Sequence, residues 1–412
     1  MLGINVKKKL VVIGNGMAGM RTVEELLSAA PSRYAITVFG AEPYGNYNRI
    51  MLSSVLCGEK NIEDIVINHR QWYVDNGITL HAGDAKTVVR IDRTNKKVYA
   101  QDGTIAGYDR LLIATGSKAV IPDIAGNDLD GVISFRDIVD VNKMLAYSRS
   151  HSKAVVLGGG LLGLEAANGL LIQGMAVTVI HNNEVLMNRQ MDKTAGQLLQ
   201  SELEQRGLKF KMAAKLTHLL GDANRHIKAV AFNDGSELDC DLFVMAIGVR
   251  PNIALAQESG LYCERGIVVN DTLQSYDPSI YAVGECIQHR GDTFGLVAPL
   301  FEQAKVCANH LSAHGAAKYI SLPTATKLKV TGINLFSVGD FLGDASSENI
   351  YLNDPAAGIY KKLVIKANKL MGAVLYGDTA DGLWYQTLLE QGRDIAYMRE
   401  GMIFGKAYVS DG

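Results

Sequence analysis

Net charge is nearly absent from this chain: 41 Lys and Arg stand against 43 Asp and Glu, a formal charge of −2 at pH 7. Without a basic excess there is no electrostatic footprint for nucleic acid or for an anionic membrane surface. Long apolar runs are also missing, and none reaches the roughly 18 residues that a membrane span requires. At the N-terminus, MLGINVKKKLVVIG has a basic cluster and then only four apolar residues, too short for a signal peptide and better read as a strand entering a sheet. Low-complexity tracts are absent, so no long disordered tail is expected. Cysteine is scarce: Cys57, Cys240, Cys263, Cys286 and Cys307 include no C-x-x-C pair. A structural zinc needs four ligands, and CIQH at Cys286–His289 offers one Cys and one His without a second pair. No metal is expected, and the cysteines read as buried thiols of a cytoplasmic protein.

What is there is an ordinary globular composition, 48% apolar and 20% charged, over 412 residues. That length suits two or three domains. The organising feature is a repeat. KLVVIGNGMAGMRTVEELL (Lys9–Leu27) reads as strand, glycine turn and helix, and AVVLGGGLLGLEAANGLLIQG (Ala154–Gly174) repeats it. Each is followed by a β-type run, AITVF at Ala35–Phe39 and AVTVI at Ala176–Ile180. Each half later has a strand ending in a small-residue turn, RLLIATGS (Arg110–Ser117) and LFVMAIGVRPN (Leu242–Asn252). Two β-α-β units of this kind imply parallel sheets with helices on their faces. Hairpin turns are expected at QDGT and within AFNDGSELD. From about Pro323 the pattern becomes several strands followed by a helix, with no glycine fingerprint.

Gly14, Gly16 and Gly19 fit G-x-G-x-x-G in the required strand-to-helix context, with Ala18 in the first helical turn. The first glycine permits the tight turn, the second lets backbone N–H groups approach a pyrophosphate, and the third lets helix and strand pack closely. The helix N-terminus then faces the anion. An acid after the second strand should bond a ribose; Glu42 is the candidate, slightly beyond the usual spacing of about 20 residues. Gly158, Gly160 and Gly163, with Leu162, repeat the fingerprint, but its second strand ends at His181, Asn182, Asn183 and Glu184, with no carboxylate at the tip and Arg189 further on. Neutral donors can bond a ribose hydroxyl, which favours NADH and leaves NADPH open. Two dinucleotide sites suggest a flavin and a nicotinamide exchanging a hydride.

ATGS (Ala114–Ser117), GGGLLGLE (Gly158–Glu165), AIGVRPN (Ala246–Asn252) and SIYAVGE (Ser279–Glu285), in that order, resemble the two-dinucleotide-binding-domain flavoprotein reductases. The resemblance implies FAD at the first fingerprint, NAD(P)H at the second, and a discontinuous FAD domain to which YAVGE returns. It also carries Ala114, Thr115, Gly116, Gly248, Gly284 and Glu285 over as cofactor-binding positions, Glu285 standing where most members have Asp. Pro299 and Gln303, in APLFEQA, resemble the segment lining the flavin's pyrimidine side. More narrowly, YGNYNRIMLSSVLCGEKNIEDIVIN, GLVAPLFEQAKV and TATKLKVTGINLFSVGDF resemble the N-terminal reductase part of assimilatory NAD(P)H nitrite reductase large subunits. Cysteines spaced for an iron–sulfur cluster are missing here, so the resemblance implies a protein that supplies electrons and does not itself reduce nitrite.

These readings imply an α/β fold with two Rossmann-like dinucleotide-binding domains plus a C-terminal α+β module. The expected domains are FAD-binding 1–118 with 245–318, NAD(P)H-binding 119–244, and a C-terminal interface domain 319–412. Glu165 and Arg49 are the expected catalytic residues. In relatives the glutamate pairs with a lysine; here RIMLSS places Ser54 at that position beside Ser53, a cofactor-binding candidate, and Arg49 is a substitute partner. Arg49 also suits a flavin phosphate or ring oxygen. The plainer readings are a helix N-terminal acid for Glu165 and a surface arginine for Arg49. The expected acceptor is a redox partner with an iron–sulfur or haem centre, such as a nitrate or nitrite reductase catalytic subunit. The alternatives are rubredoxin or ferredoxin, or a disulfide, peroxide or oxygen reaction at Cys57. Oligomeric state is left open.

Overall fold

The computed structural model describes residues 7–321, 325–330 and 332–409; Pro323 and the extreme termini lie outside them. The chain divides into two compact units. One is 1–52, 60–118 and 249–321; the other is 53–59, 119–248 and 322–412.

The first unit is built on a five-stranded sheet in the order Ile280–Ala282, Arg110–Ile113, Lys8–Ile13, Tyr34–Gly40, Thr79–Ala82. Every neighbouring pair in it is parallel. Parallel strands covered on both faces must be apolar throughout, and LVVI (Leu10–Ile13) and LLI (Leu111–Ile113) are buried continuously. Helices Met17–Ala29 and Val297–Leu311 belong to this unit and contribute Met20, Val23, Leu26, Val306 and Leu311 to its core. The expected hairpin at QDGT joins Lys97–Ala100 to Ile105–Gly107.

The second unit repeats the plan: Val132–Ser134, Leu242–Met245, Lys153–Leu157, Ala176–Ile180, Lys209–Lys211, all parallel. Helix Leu161–Ile172 follows its second glycine turn, and the second expected hairpin pairs Ile227–Phe232 with Glu237–Asp239. The C-terminal part is an antiparallel five-stranded sheet, Thr326–Val330, Ile333–Gly339, Lys369–Tyr376, Ile359–Lys366, Glu348–Asp354. Helix Gly382–Gln391 places Tyr385 and Leu388 on Phe336, Leu363 and Leu375. The C-terminal sheet falls in the second compact unit and is tied to residues of it. The buried Tyr360 hydroxyl donates to Asp192 Oδ2 at 2.6 Å, and Asp192 in turn caps helix Lys193–Gln205 through Ala195 N–H.

Candidate functional site

In the first unit the strand Lys8–Ile13 runs into Gly14 at φ +114°. A side chain there would overlap the Ala114 carbonyl, and one at Gly19 would press on the Gly14 carbonyl at 2.7 Å. These two glycines therefore draw turn, helix and neighbouring strand together. Gly16 is different. It is the N-cap of helix Met17–Ala29 with no side-chain cap, and no atom lies within 4 Å of where its Cβ would be. The helix thus begins with uncapped N–H groups beside open space, the arrangement that receives an anion.

The expected site residues of this unit lie on several different elements. Glu42, just past strand Tyr34–Gly40, accepts from the Tyr47 hydroxyl at 2.7 Å and pairs with Arg49, whose guanidinium lies 4.9 Å from the Tyr47 ring centre. Ala114 and Thr115 close the strand Arg110–Ile113, the Thr115 hydroxyl donating to Asn252 O at 2.7 Å. Gly116 and Gly284 take positive φ, and Ala18 lies 3.0 Å from where a Cβ on Gly284 would stand. Glu285 accepts from the Ser117 hydroxyl at 2.9 Å. Gln303, fully buried on helix Val297–Leu311, accepts from Gly284 N–H at 2.8 Å, and Pro299 lies in the first turn of that helix.

The second unit repeats the cradle. Gly158 has φ +123°, and its side chain would overlap the Ala246 carbonyl; one on Gly163 would overlap the Gly158 carbonyl. Gly160 is an uncapped N-cap with open space around it. Leu162 sits half-buried in the first helical turn, and Gly248, at φ +116°, has nothing near it. At the strand tip His181 Nδ1 accepts from Gly159 N–H at 3.2 Å.

Both cradles therefore fit a dinucleotide: open, uncapped helix starts, with glycines wherever a side chain would block the turn. A family model for the pyridine nucleotide-disulphide oxidoreductases matches residues 8–310. The chain belongs to that family. It is accordingly an oxidoreductase that uses a pyridine nucleotide. A second model, the rubredoxin NAD+ reductase C-terminal domain, matches residues 324–393. A nitrite reductase [NAD(P)H] of Bacillus subtilis (strain 168) is 48% identical over 95% of this chain and 48% of its own length. The assimilatory nitrate reductase electron transfer subunit of the same organism is 43% identical over 96% of this chain and 51% of its own length. The chain thus spans about half the length of these curated relatives. Among solved structures, NADH:rubredoxin oxidoreductase from Clostridium acetobutylicum superposes with a TM-score of 0.79 at 25% identity, covering 95% of this chain and 97% of that one.

In this oxidoreductase the segment Ser53–Glu59 lies against the second helix. A cavity of about 380 Å³ is lined by residues including Ser53, Cys57, Glu59, Glu165, Asn168 and Arg206. Glu165 is one of the residues that line it. Burial pushes its carboxyl up to about 7, only partly opposed by a hydrogen bond with the Ser53 side chain. The Arg49 guanidinium pairs with Glu42, and Glu165 shares a hydrogen bond with the Ser53 side chain. A short hydroxyl at position 53 can bond the carboxylate but cannot neutralise it, which is why burial dominates its titration. The Cys57 thiol is raised by burial and by Glu59, and lowered by its hydrogen bond with Asn168, 3.9 Å away; Glu165 raises it further. Reactive thiols sit in electropositive surroundings; this one faces carboxylates. Cys286 and His289 go to separate partners, Val283 O and Asp271.

Sequence reasoning missed the polar network that carries the first cradle. The Tyr73 hydroxyl donates to Asn15 Oδ1 at 2.6 Å and accepts from Asn46 N–H at 3.1 Å. Asn46 donates to Asn68 at 2.8 Å, and Asn68 to Glu24 at 2.9 Å. Asn15 also donates to Tyr44 O at 3.1 Å, so it ties the glycine turn to the loop that bears Glu42. The one signal available was Asn15 itself, the polar residue inside the first glycine motif.

Proposed function

We propose that this protein passes electrons from NADH through FAD to a separate redox protein carrying an iron–sulfur or haem centre, the catalytic subunit of an assimilatory nitrate or nitrite reductase. The observation that carries this reading is the duplicated cradle, two open helix N-termini on one plan, in a chain 43% identical to a nitrate reductase electron transfer subunit. FAD belongs to the first cradle and the nicotinamide nucleotide to the second. When bound, the flavin takes an electron pair from the nicotinamide and releases electrons singly.

The chain's own residues bind, orient and tune. Uncapped N–H groups at Gly16 and Gly160 receive the two pyrophosphates. Glu42, held by Tyr47 and Arg49, would hold the FAD ribose, and Glu285, held by Ser117, would hold the ribityl chain. Pro299 and Gln303 would line the place of the flavin ring. Glu165 holds or yields a proton at its carboxyl close to neutral pH. Rubredoxin is the second acceptor to test, favoured by the match of residues 324–393 to the rubredoxin reductase C-terminal domain. A Cys57-centred disulfide or peroxide reaction is disfavoured by the carboxylates around that thiol.

The experiment is anaerobic titration of the purified protein with NADH, followed by mixing with candidate acceptors. The expected result is a yellow protein whose flavin absorbance bleaches stoichiometrically and recovers as a nitrate or nitrite reductase catalytic subunit is reduced. A folded protein that takes up no FAD, or whose flavin stays oxidised in excess NADH, overturns the proposal.

A further inference from the structure

The two cradles hold their glycine turns in different ways. In the first, the middle residue of the turn is Asn15, whose side chain accepts from the Tyr73 hydroxyl and donates to Tyr44 O. In the second, the middle residue is Gly159, which has no side chain, and the backbone itself is held. Gly159 N–H donates to His181 Nδ1 at 3.2 Å, and Gly159 O accepts from Met187 N–H at 2.9 Å. In a planar trans peptide the carbonyl oxygen and the amide hydrogen point in opposite directions. A bond that fixes Gly159 O therefore also fixes the direction of Gly160 N–H, at the uncapped start of helix Leu161–Ile172.

Met187 makes that bond from an unfavourable conformation. Its φ is +50°, in the left-handed region that residues with a Cβ avoid. Such a residue persists only where its surroundings over-determine it. Its own carbonyl accepts from Gln190 N–H at 2.7 Å and from Met191 N–H at 2.9 Å. Leu186, Met187 and Met191 are buried, and Gly196 lets helix Lys193–Gln205 rest directly on the loop, since a Cβ there would lie 2.5 Å from Val185 Cγ1 and 3.0 Å from Leu186 O. The far end of the loop is anchored at Asp192, the residue after Met191. One carboxylate oxygen caps the helix through Ala195 N–H at 3.0 Å, and the other accepts from the Tyr360 hydroxyl at 2.6 Å. Tyr360 is buried on strand Ile359–Lys366 of the C-terminal sheet. Burial, and then Asp192, push its hydroxyl pKa upward, so the hydroxyl keeps its proton and donates. Without it, the cap alone would hold that end of the loop.

We propose that Tyr360 is a positioning residue for the second cradle: through Asp192 and the left-handed Met187, the C-terminal sheet holds the Gly159–Gly160 peptide in the orientation that receives a nucleotide's pyrophosphate. The inference rests on reading the second cradle as the nicotinamide-nucleotide site.

The test is calorimetric binding of ADP-ribose to the folded, FAD-loaded protein; the probe contains no nicotinamide, so binding is read without turnover. Tyr360→Phe should weaken binding by about tenfold with FAD content unchanged, and hydrogen exchange at the Met187 amide should quicken. Asp192→Ser keeps an N-cap but lacks the oxygen that faces Tyr360. It should weaken binding to the same extent, with no further loss when the two changes are combined, and it decides by the same criteria if Tyr360→Phe does not fold. In a Met187→Gly background the left-handed conformation carries no penalty, so Tyr360→Phe should there cost less than about threefold. Leu375→Ala weakens the same sheet from the core beneath helix Gly382–Gln391 and should leave ADP-ribose binding within about twofold. Binding by Tyr360→Phe within about twofold of the unaltered protein, an equal loss in Leu375→Ala, or an undiminished loss in the Met187→Gly background overturns the inference. Failure of the unaltered, FAD-loaded protein to bind ADP-ribose overturns instead the assignment of the cradle to a nucleotide.

Discussion

Glu165 is a carboxyl placed beside serines where a cation would hold it ionised. Folding raises its pKa from the ordinary 4.5 to about 7. Between those values the folded protein keeps a proton that the unfolded chain has released, so this group's contribution to stability declines as pH rises through the window and levels off above about 7. Glu165→Gln removes that dependence. Urea unfolding of the variant and the unaltered protein should show the variant gaining on the order of 3 kcal/mol relative to its parent between pH 4 and pH 8; a constant difference between them would show that the carboxyl titrates normally. Tyr73 is the second residue whose role is specific. Tyr73→Phe leaves the buried Asn46 N–H and the half-buried Asn15 Oδ1 without their shared hydroxyl, a loss of about 1–3 kcal/mol. Part of it should appear as FAD affinity, roughly tenfold weaker, read from the flavin fluorescence released on dilution. Unchanged FAD retention in a destabilised variant would confine the network to a structural role.

At the scale of elements, both helices that start at a glycine turn depend on close approach to their own sheet. Gly163→Ala puts a methyl group into the Gly158 carbonyl. The helix Leu161–Ile172 must shift away, taking its N-terminal N–H groups from the phosphate position. Binding of ADP-ribose is expected to fall by more than about tenfold, while FAD content, which the proposal assigns to the other cradle, should stay intact. Equal loss of both cofactors would mean that the two cradles are not independent. The contrast with Gly160 is useful: space is open there, so Gly160→Ala tests the approach of the ligand and not the packing of the helix.

For the whole molecule, the duplicated parallel unit carries the argument, and the acceptor decides the biology. If electrons leave through the flavin and no thiol takes part, Cys57→Ala should retain NADH-dependent dye reduction within about twofold. Loss of activity with FAD still bound would restore the thiol reading that the surrounding carboxylates argue against. Among the described residues no helix is long and apolar enough to cross a membrane. The antiparallel C-terminal sheet, part of the second compact unit, carries neither of the two glycine turns.

The repeat at Val11–Met20 and Val155–Ala167, the strands after it and the hairpins at QDGT and NDGS are local patterns of glycine and apolar residues. Backbone freedom and burial act within a few residues of one another, so the linear sequence by itself determined the fold class, the family and the positions of both glycine turns. Interactions between distant residues were not legible in the same way. The pairing of Arg49 with Glu42, the Tyr73–Asn15 bond, the packing of the C-terminal sheet with the second unit and the elevated Glu165 carboxyl were decided only by tertiary structure. A side chain's partner and its exposure to water depend on which other segments fold against it, and residue spacing along the chain does not encode that.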